Sequence, residues 1–233
     1  GKHVFVEKPL ALNYKDLNQI QQLVQDNNKS VVVGFNRRFS PHAQLIRKTL
    51  GTSPGPINLS ATMNAGFIPP EMWMHDLEVG GGRLVSEACH FLDTLSFLAN
   101  SAIKAICVNA LGVKPDLNSD NASILVRFAN GSNGVVNYFA NGSKSYAKER
   151  IEIFSQERTF VIDNFRETQG FGAKGFKKLK TRQDKGHHEQ FRRLWDFAQN
   201  GGEPIIPWDE VYNVSKASIA ILDSIKTGDW VEV

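Results

Sequence analysis

Two periodicities divide the chain. Apolar positions recur at helical spacing in residues 13–28 (Leu17, Ile20, Leu23, Val24), in the run after three glycines to about Ala99 (Leu84, Val85, Ala88, Phe91, Leu92, Leu95), and in a segment opening at Gly186 (Phe191, Leu194, Trp195, Phe197). Ser40 and Pro41 have the chemistry of an N-cap and first-turn proline for a helix to Leu50, and Asp209 is expected to cap a final helix to about Lys226. Elsewhere the period shortens to two. Residues 56–65, 102–111, 122–128, 134–140, 150–154, 159–164 and 175–180 read as strands, several joined by short turns such as 130–133 and 156–158, and 230–233 as a last one.

Sequential strands with short turns predict an antiparallel meander, and helices on either side of the block predict an α+β layer: a large, mostly antiparallel open sheet with helices on one face. Val135, Tyr138 and Phe139 put apolar groups on both strand faces, so the uncovered face is expected to form a homo-oligomer. The first residues differ. Val4-Phe5-Val6, the helix of residues 13–28 and the run 31–35 make strand, helix, strand, a βαβ unit. It opens at Gly1 with no room before it for a glycine-rich dinucleotide turn, so residues 1–36 are expected to be the last part of a truncated Rossmann domain. On that reading the main dinucleotide-binding region is missing from the chain, which alone should bind NAD(H) weakly or not at all.

With 41% hydrophobic and 22% charged residues the chain can bury a core, and a net charge of +3 is too mild to argue for nucleic acid or membrane as partner. The basic run of residues 174–185 reads as a solvated edge strand. Two cysteines, Cys89 and Cys107, give neither a disulfide framework nor metal-ligand spacing, which fits a reducing, cytoplasmic setting. No apolar run approaches the roughly 20 residues of a membrane span.

The candidate chemistry gathers at GGGRLVSEACHFLD, residues 80–93. His90 shares a helix face with Glu87 and Ser86, rotated from it by about 60° and 40°, so a carboxylate and an imidazole can look into one cleft. Cys89 points about 100° away from His90 and reads as a buried structural thiol. Arg37 and Arg38 follow the second strand; as neighbours in extended chain they face opposite sides, so one is expected in the cleft. Trp73 and His75 are candidates for a sugar pocket, with Trp73 alternatively anchoring its loop. His187 near a helix start is a candidate to bond a substrate hydroxyl, and no metal site is expected from the pair His187-His188.

Glu7-Lys8-Pro9 and the glycine-led helix with His90, in this order, resemble the glucose-fructose oxidoreductase and inositol dehydrogenase family (Gfo/Idh/MocA). The runs GFNRRFSPHAQ, GGGRLVSEACHFLD and RQDKGHHEQF extend the resemblance over nearly the whole chain, in particular to relatives whose module follows a zinc-type alcohol dehydrogenase domain. The resemblance implies NAD or NADP as cofactor and a sugar, cyclitol or nucleotide-sugar hydroxyl as substrate. It also implies that residues 37–233 form a substrate-binding and oligomerisation domain. Lys8 would sit between nicotinamide and substrate, with Glu7, Pro9 and Arg37 on the cofactor side, Arg38, Trp73, Ser86 and His187 on the substrate side, and His90 as base. One position departs: Ser86 stands four before His90 where the family usually has Asp, with Glu87 the candidate replacement. Two further readings stay open, a non-catalytic sugar-binding and oligomerisation module and a redox-neutral NAD-dependent lyase or hydrolase.

Overall fold

The computed structural model describes residues 2–27, 29–52, 54–176 and 178–233. Gly1, the expected helix end at Asn28 and Lys177 of the basic run lie outside the described residues. Strands β1 (Val4–Val6) and β2 (Val31–Val33) pair in parallel around helix α1 (Tyr14–Asp26), the expected βαβ unit. Asn13 starts α1 by accepting the Asp16 amide proton at 2.9 Å, satisfying one of the helix's orphan donors. A 3-10 turn (Arg37–Phe39) leads into α2 (Pro41–Leu50), where Ser40 Oγ accepts from the Ala43 amide at 3.1 Å. Strand β3 (Asn58–Asn64) and a loop with a short turn at Trp73–His75 precede α3 (Arg83–Ala99).

Then come β4 (Ile103–Ala110), β5 (Asn121–Phe128), β6 (Asn133–Phe139), β7 (Glu149–Ser155), β8 (Arg158–Asp163), β9 (Glu167–Phe171) and β10 (Leu179–Lys180), followed by α4 (His187–Asn200), α5 (Trp208–Thr227) and β11 (Val231–Glu232). Among the described residues β3 to β11 form one nine-stranded sheet in the order β10-β9-β8-β7-β3-β6-β5-β4-β11. Neighbours run antiparallel except β3 and β6, where Asn58 lies opposite Asn133 in parallel. The sheet is therefore mostly antiparallel, but it is not one meander: β3 is inserted between β6 and β7. Alternation tells which face a side chain takes, and nothing about which strand lies next to it.

Three expectations change. Residues 167–171 pair as β9 without apolar alternation; their buried side chain is Thr168, bonded at 2.7 Å to His42. Of residues 175–180 only Leu179–Lys180 is strand. Asp209 is not the cap of α5 but lies within its first turn behind Pro207, where its charge suits the helix N-terminus.

The helices cover one sheet face. Ile46 of α2, Leu92 and Leu95 of α3 and Val214 and Ile221 of α5 pack on Ile124, Val136, Ile151 and Ile153 in one continuous core. Truncating a residue such as Leu92, fully buried there, costs about 2–5 kcal/mol. On the opposite face Leu125, Phe139 and Phe154 are exposed, whereas Tyr138 is buried on the helix side. A smaller core of Leu17 and Ile219, with Tyr14 Oη donating to Asp223 at 2.9 Å, ties α1 to α5 and so fixes the segment that carries Lys8. No helix of the described residues is long and apolar enough to cross a membrane.

Candidate active site

The glycine run sets the geometry. A Cβ on Gly80 would stand 2.6 Å from Met74 Cα and 2.7 Å from the Trp73 carbonyl oxygen, so the loop carrying Trp73 lies directly on the entry to α3. Gly81, at φ 75°, would drive a Cβ to 2.5 Å from a Leu12 methyl. Between this loop, the segment after β1 and the face of α3 lies a cavity of about 780 Å³, lined among others by Lys8, Pro9, Arg37, Trp73, Ser86, Glu87, His90 and Lys148. Its size suits a small-molecule ligand.

Lys8 Nζ donates to the Ser86 carbonyl at 2.8 Å, which holds the ammonium over the first turn of α3. His90 sits one turn further on. Burial, then the charges of Arg37, Lys8, His187 and Lys185, hold its imidazole well below the ordinary histidine pKa, so it is neutral at neutral pH. Its Nδ1 is buried with no hydrogen-bond partner among the described residues. Neither Ser86 nor Glu87 orients the ring: Ser86 Oγ donates to Gly82 O at 2.9 Å, and Glu87 accepts from Arg83 Nε at 3.1 Å. Arg83, almost wholly buried, also reaches Asp120 and Gly66 O, each at 3.0 Å.

The two arginines share a 3-10 turn rather than extended chain, so their side chains diverge by about 120°. Arg37 enters the cavity wall, lies 5.2 Å from the Phe91 ring centroid and grips Glu149 with Nε at 2.8 Å and Nη2 at 3.0 Å. Arg38 is a correction. It turns away into a buried pair with Asp93, at 2.6 Å, and a bond to Glu210, also at 2.6 Å, and does not line the cavity. Lys185 adds a second cation to Glu149 at 2.5 Å. Burial alone would raise the Glu149 carboxyl; Arg37 and Lys185 outweigh it and hold it below the usual range.

The remaining candidates scatter. Trp73 stands exposed on the cavity rim rather than anchoring its loop in the core. His75 is buried and outside the lining, so it is no part of the pocket. Glu7 is exposed and lies against Gly34, where a Cβ would meet its Oε2 at 2.8 Å; it too is outside the lining. Pro9, after a cis peptide bond from Lys8, lines the cavity. His187 is exposed and likewise outside the lining, though near enough for His90 to feel its charge. The chain on both sides of it is clamped to the segment at and after the end of β2, with Asn36 Nδ2 donating to Lys185 O at 2.7 Å and Gln190 Nε2 to Val33 O at 3.1 Å. Burial pushes the Cys89 thiol up to about 12, which leaves it inert at neutral pH. Among the described residues no three His, Cys, Asp or Glu side chains gather as for a metal.

Glu149, Lys185 and Lys148 were not singled out from the sequence. One signal was available: Glu149 alternates in phase with Ile151 and Ile153, a carboxylate on the buried side of its strand. The spacing Gly-x-Gly-x-x-Gly does occur, at Gly170, Gly172 and Gly175, but it leaves an antiparallel strand and leads to β10, not to a helix that could receive a pyrophosphate.

Residues 1–35 match the family model described as oxidoreductase family, NAD-binding Rossmann fold, and residues 55–161 match the GFO/IDH/MocA C-terminal domain, together more than half of the chain. The chain belongs to the GFO/IDH/MocA family. Within it, the chain is 28% identical to myo-inositol 2-dehydrogenase of Thermotoga maritima over 179 residues, 72% of this chain and 51% of that protein. It is 26% identical to scyllo-inositol 2-dehydrogenase (NAD(+)) of Bacillus subtilis over 249 residues, 100% of this chain and 71% of that protein. The chain spans about half the length of several of the curated GFO/IDH/MocA relatives it matches. The solved structure of levoglucosan dehydrogenase in complex with NADH and levoglucosan superposes with a TM-score of 0.82 at 22% identity, over 99% of this chain and 73% of that one, which establishes the shared fold.

Proposed function

We propose that this chain is the substrate-holding part of an NAD(P)-dependent oxidoreductase acting on a hydroxyl of a sugar, cyclitol or nucleotide sugar. The observation that carries the reading is the convergence of the Lys8 ammonium and a neutral His90 imidazole on one cavity. Residues 1–36 are read as the closing part of a nucleotide-binding domain and residues 37–233 as the substrate and oligomerisation domain. Support comes from the parallel β1–β2 pair and the family match over residues 1–35.

The residues present fit the nicotinamide end of such a cofactor: the Lys8 ammonium and the His90 ring line a space of ligand size. They do not fit its pyrophosphate end, since α1 is led by Leu12-Asn13 without a glycine turn. The cradle for the phosphates is therefore assigned to another part of the protein. When bound, the nicotinamide supplies the hydride acceptor. Within this chain His90 Nε2 takes the hydroxyl proton, a task for which a neutral imidazole is suited. Lys8 donates to the same substrate oxygen and stabilises the alkoxide as it forms. Trp73 offers a ring face to the apolar side of a sugar and Ser86 borders the substrate side, while His187, outside the lining, is read as reaching a substrate that extends beyond the cavity. The exposed apolar face of the sheet, Leu125, Phe139 and Phe154, is read as the surface of a homo-oligomer, measurable by sedimentation.

A second reading has its own support. The absence of a carboxylate hydrogen-bonded to His90 among the described residues, with Ser86 and Glu87 both bonded elsewhere, favours a module that binds without turning over. NADH absorbance of the full-length protein against a panel of sugars and cyclitols decides between them. Net NADH formation that His90→Ala abolishes supports the dehydrogenase; product without net reduction supports the redox-neutral route; binding with neither leaves the module.

A further inference from the structure

We infer that the cavity is built for an acidic sugar ligand, whose carboxylate or phosphate sits between Lys148 and the free end of the Arg37 guanidinium. The inference rests on the reading of this cavity as the sugar site. Arg37 is almost fully buried, and its Nε and Nη2 are spent on Glu149, but Nη1 makes no hydrogen bond among the described residues. Lys148 precedes Glu149 in the chain, lines the same cavity, is accessible, and has no ion-pair or hydrogen-bond partner for its ammonium among the described residues.

The charges in direct contact with these two do not cancel them. Glu149 is already shared between Arg37 and Lys185, so that cluster keeps a surplus positive charge. Lys8 is held by a neutral carbonyl, not a carboxylate. Of the two lining carboxylates, Glu87 is paired with Arg83, which Asp120 shares, and makes no ion pair with Arg37 or Lys148 among the described residues; Asp16 stands on the exposed side of α1, where Asn13 Nδ2 donates to it. Arg37 and Lys8 thus put positive charge beside His90, and after burial they are the next causes of its lowered basicity. A buried guanidinium with an idle amino group gains most from an ionised acceptor, and a second cation beside it discriminates an anion from a neutral hydroxyl. The apolar part of the lining, Leu10, Leu12, Ile20 and Trp73, offers no such partner and suits the ring. A neutral polyol would leave both cations unanswered.

The test compares glucose with glucuronate, which differ in one carboxylate, by isothermal titration of the full-length protein at constant ionic strength. Glucuronate is expected to bind at least about tenfold more tightly, and Lys148→Gln to bring it within about threefold of glucose. Lys104→Gln, on an exposed lysine of β4 outside the cavity, should keep the preference. Equal affinity for the two sugars, a preference that survives Lys148→Gln, or one that Lys104→Gln removes equally overturns the inference. Glucose binding in those cases leaves the proposed function standing; binding of neither sugar overturns the acidic-sugar inference, and the proposed function then stands or falls on the NADH assay. ADP as a third probe separates the sources of the anion: Lys148-dependent binding of ADP but not of glucuronate assigns the cations to a dinucleotide phosphate and overturns the acidic-sugar assignment.

Discussion

At the start of α3 one guanidinium, Arg83, is shared by two carboxylates, Glu87 and Asp120; at the start of β7 one carboxylate, Glu149, is shared by two cations, Arg37 and Lys185. Both clusters border the same cavity, and they carry opposite surpluses. They also differ in exposure. Glu149 is sealed completely, while Glu87 and Asp120 retain about a fifth of their side-chain surface. The contrast teaches where charge controls chemistry here. The acidic cluster holds the first turn of α3 in place, and the cationic one sets the field in which His90 must work.

The sharpest break is at Glu149. Replacing it with Ala leaves Arg37 and Lys185 uncompensated in a buried site, and losing one partner of such a cluster costs about 3–5 kcal/mol. Urea unfolding should show that loss, with Glu149→Gln, which keeps an acceptor, losing less. A loss under about 1 kcal/mol for the alanine variant would mean that water reaches the cluster and screens it.

The next effect is on proton uptake. The folded state holds His90 below the unfolded histidine value of about 6.5. Above that pH the ring is neutral in both states and nothing is lost. As pH falls through it, the unfolded chain takes up a proton that the folded chain refuses, and stability declines by up to about 1.4 kcal/mol per pH unit for each such group. His42, lowered chiefly by burial, acts in the same direction. His90→Gln should therefore remove only its own share of the slope between pH 6.5 and 5, measured from urea midpoints. The acid limb of kcat/KM should likewise lie below about 6.5 if His90 is the base.

What was legible in the chain follows from the same physics. Periodicity exposed α1 and α3, and the cap of Ser40-Pro41 exposed α2, because an apolar stripe, a glycine run and a cap all act within a few residues of the elements they mark. The order of strands was not legible. β3 lies between β6 and β7 through pairings as distant as Leu59 with Ile153, which leave no local trace. β9 escaped because Glu167, Gln169 and Gly170 carry no apolar alternation and are held by the ladder to β8. At the site, Lys8 and His90 could be named from the motifs that carry them. The partners that tune them could not, since Glu149 lies more than a hundred residues from Arg37 along the chain. One of Arg37 and Arg38 lines the cavity, as expected, though from a 3-10 turn rather than extended chain; what fails is the placing of Arg38 at the substrate, which the resemblance alone implied.

The smallest effect is the one that bears on Ser86. If Glu87 serves Arg83 and not His90, Glu87→Gln keeps an acceptor for Arg83 Nε while Asp120 and Gly66 O keep Nη1, so stability should fall by about 1 kcal/mol or less. Thermal unfolding would read this as a small shift beside that of the Glu149 variants. In the same protein, the apparent pKa of His90, followed by the NMR shifts of its ring protons, should move little, because no bond joins the two side chains. A fall of that pKa by a unit or more would show the carboxylate acting on the imidazole after all, in the place that the family gives to Asp. The opposition between an acidic cluster that holds the helix and a cationic one that sets the field would then have to be redrawn with Glu87 on the catalytic side.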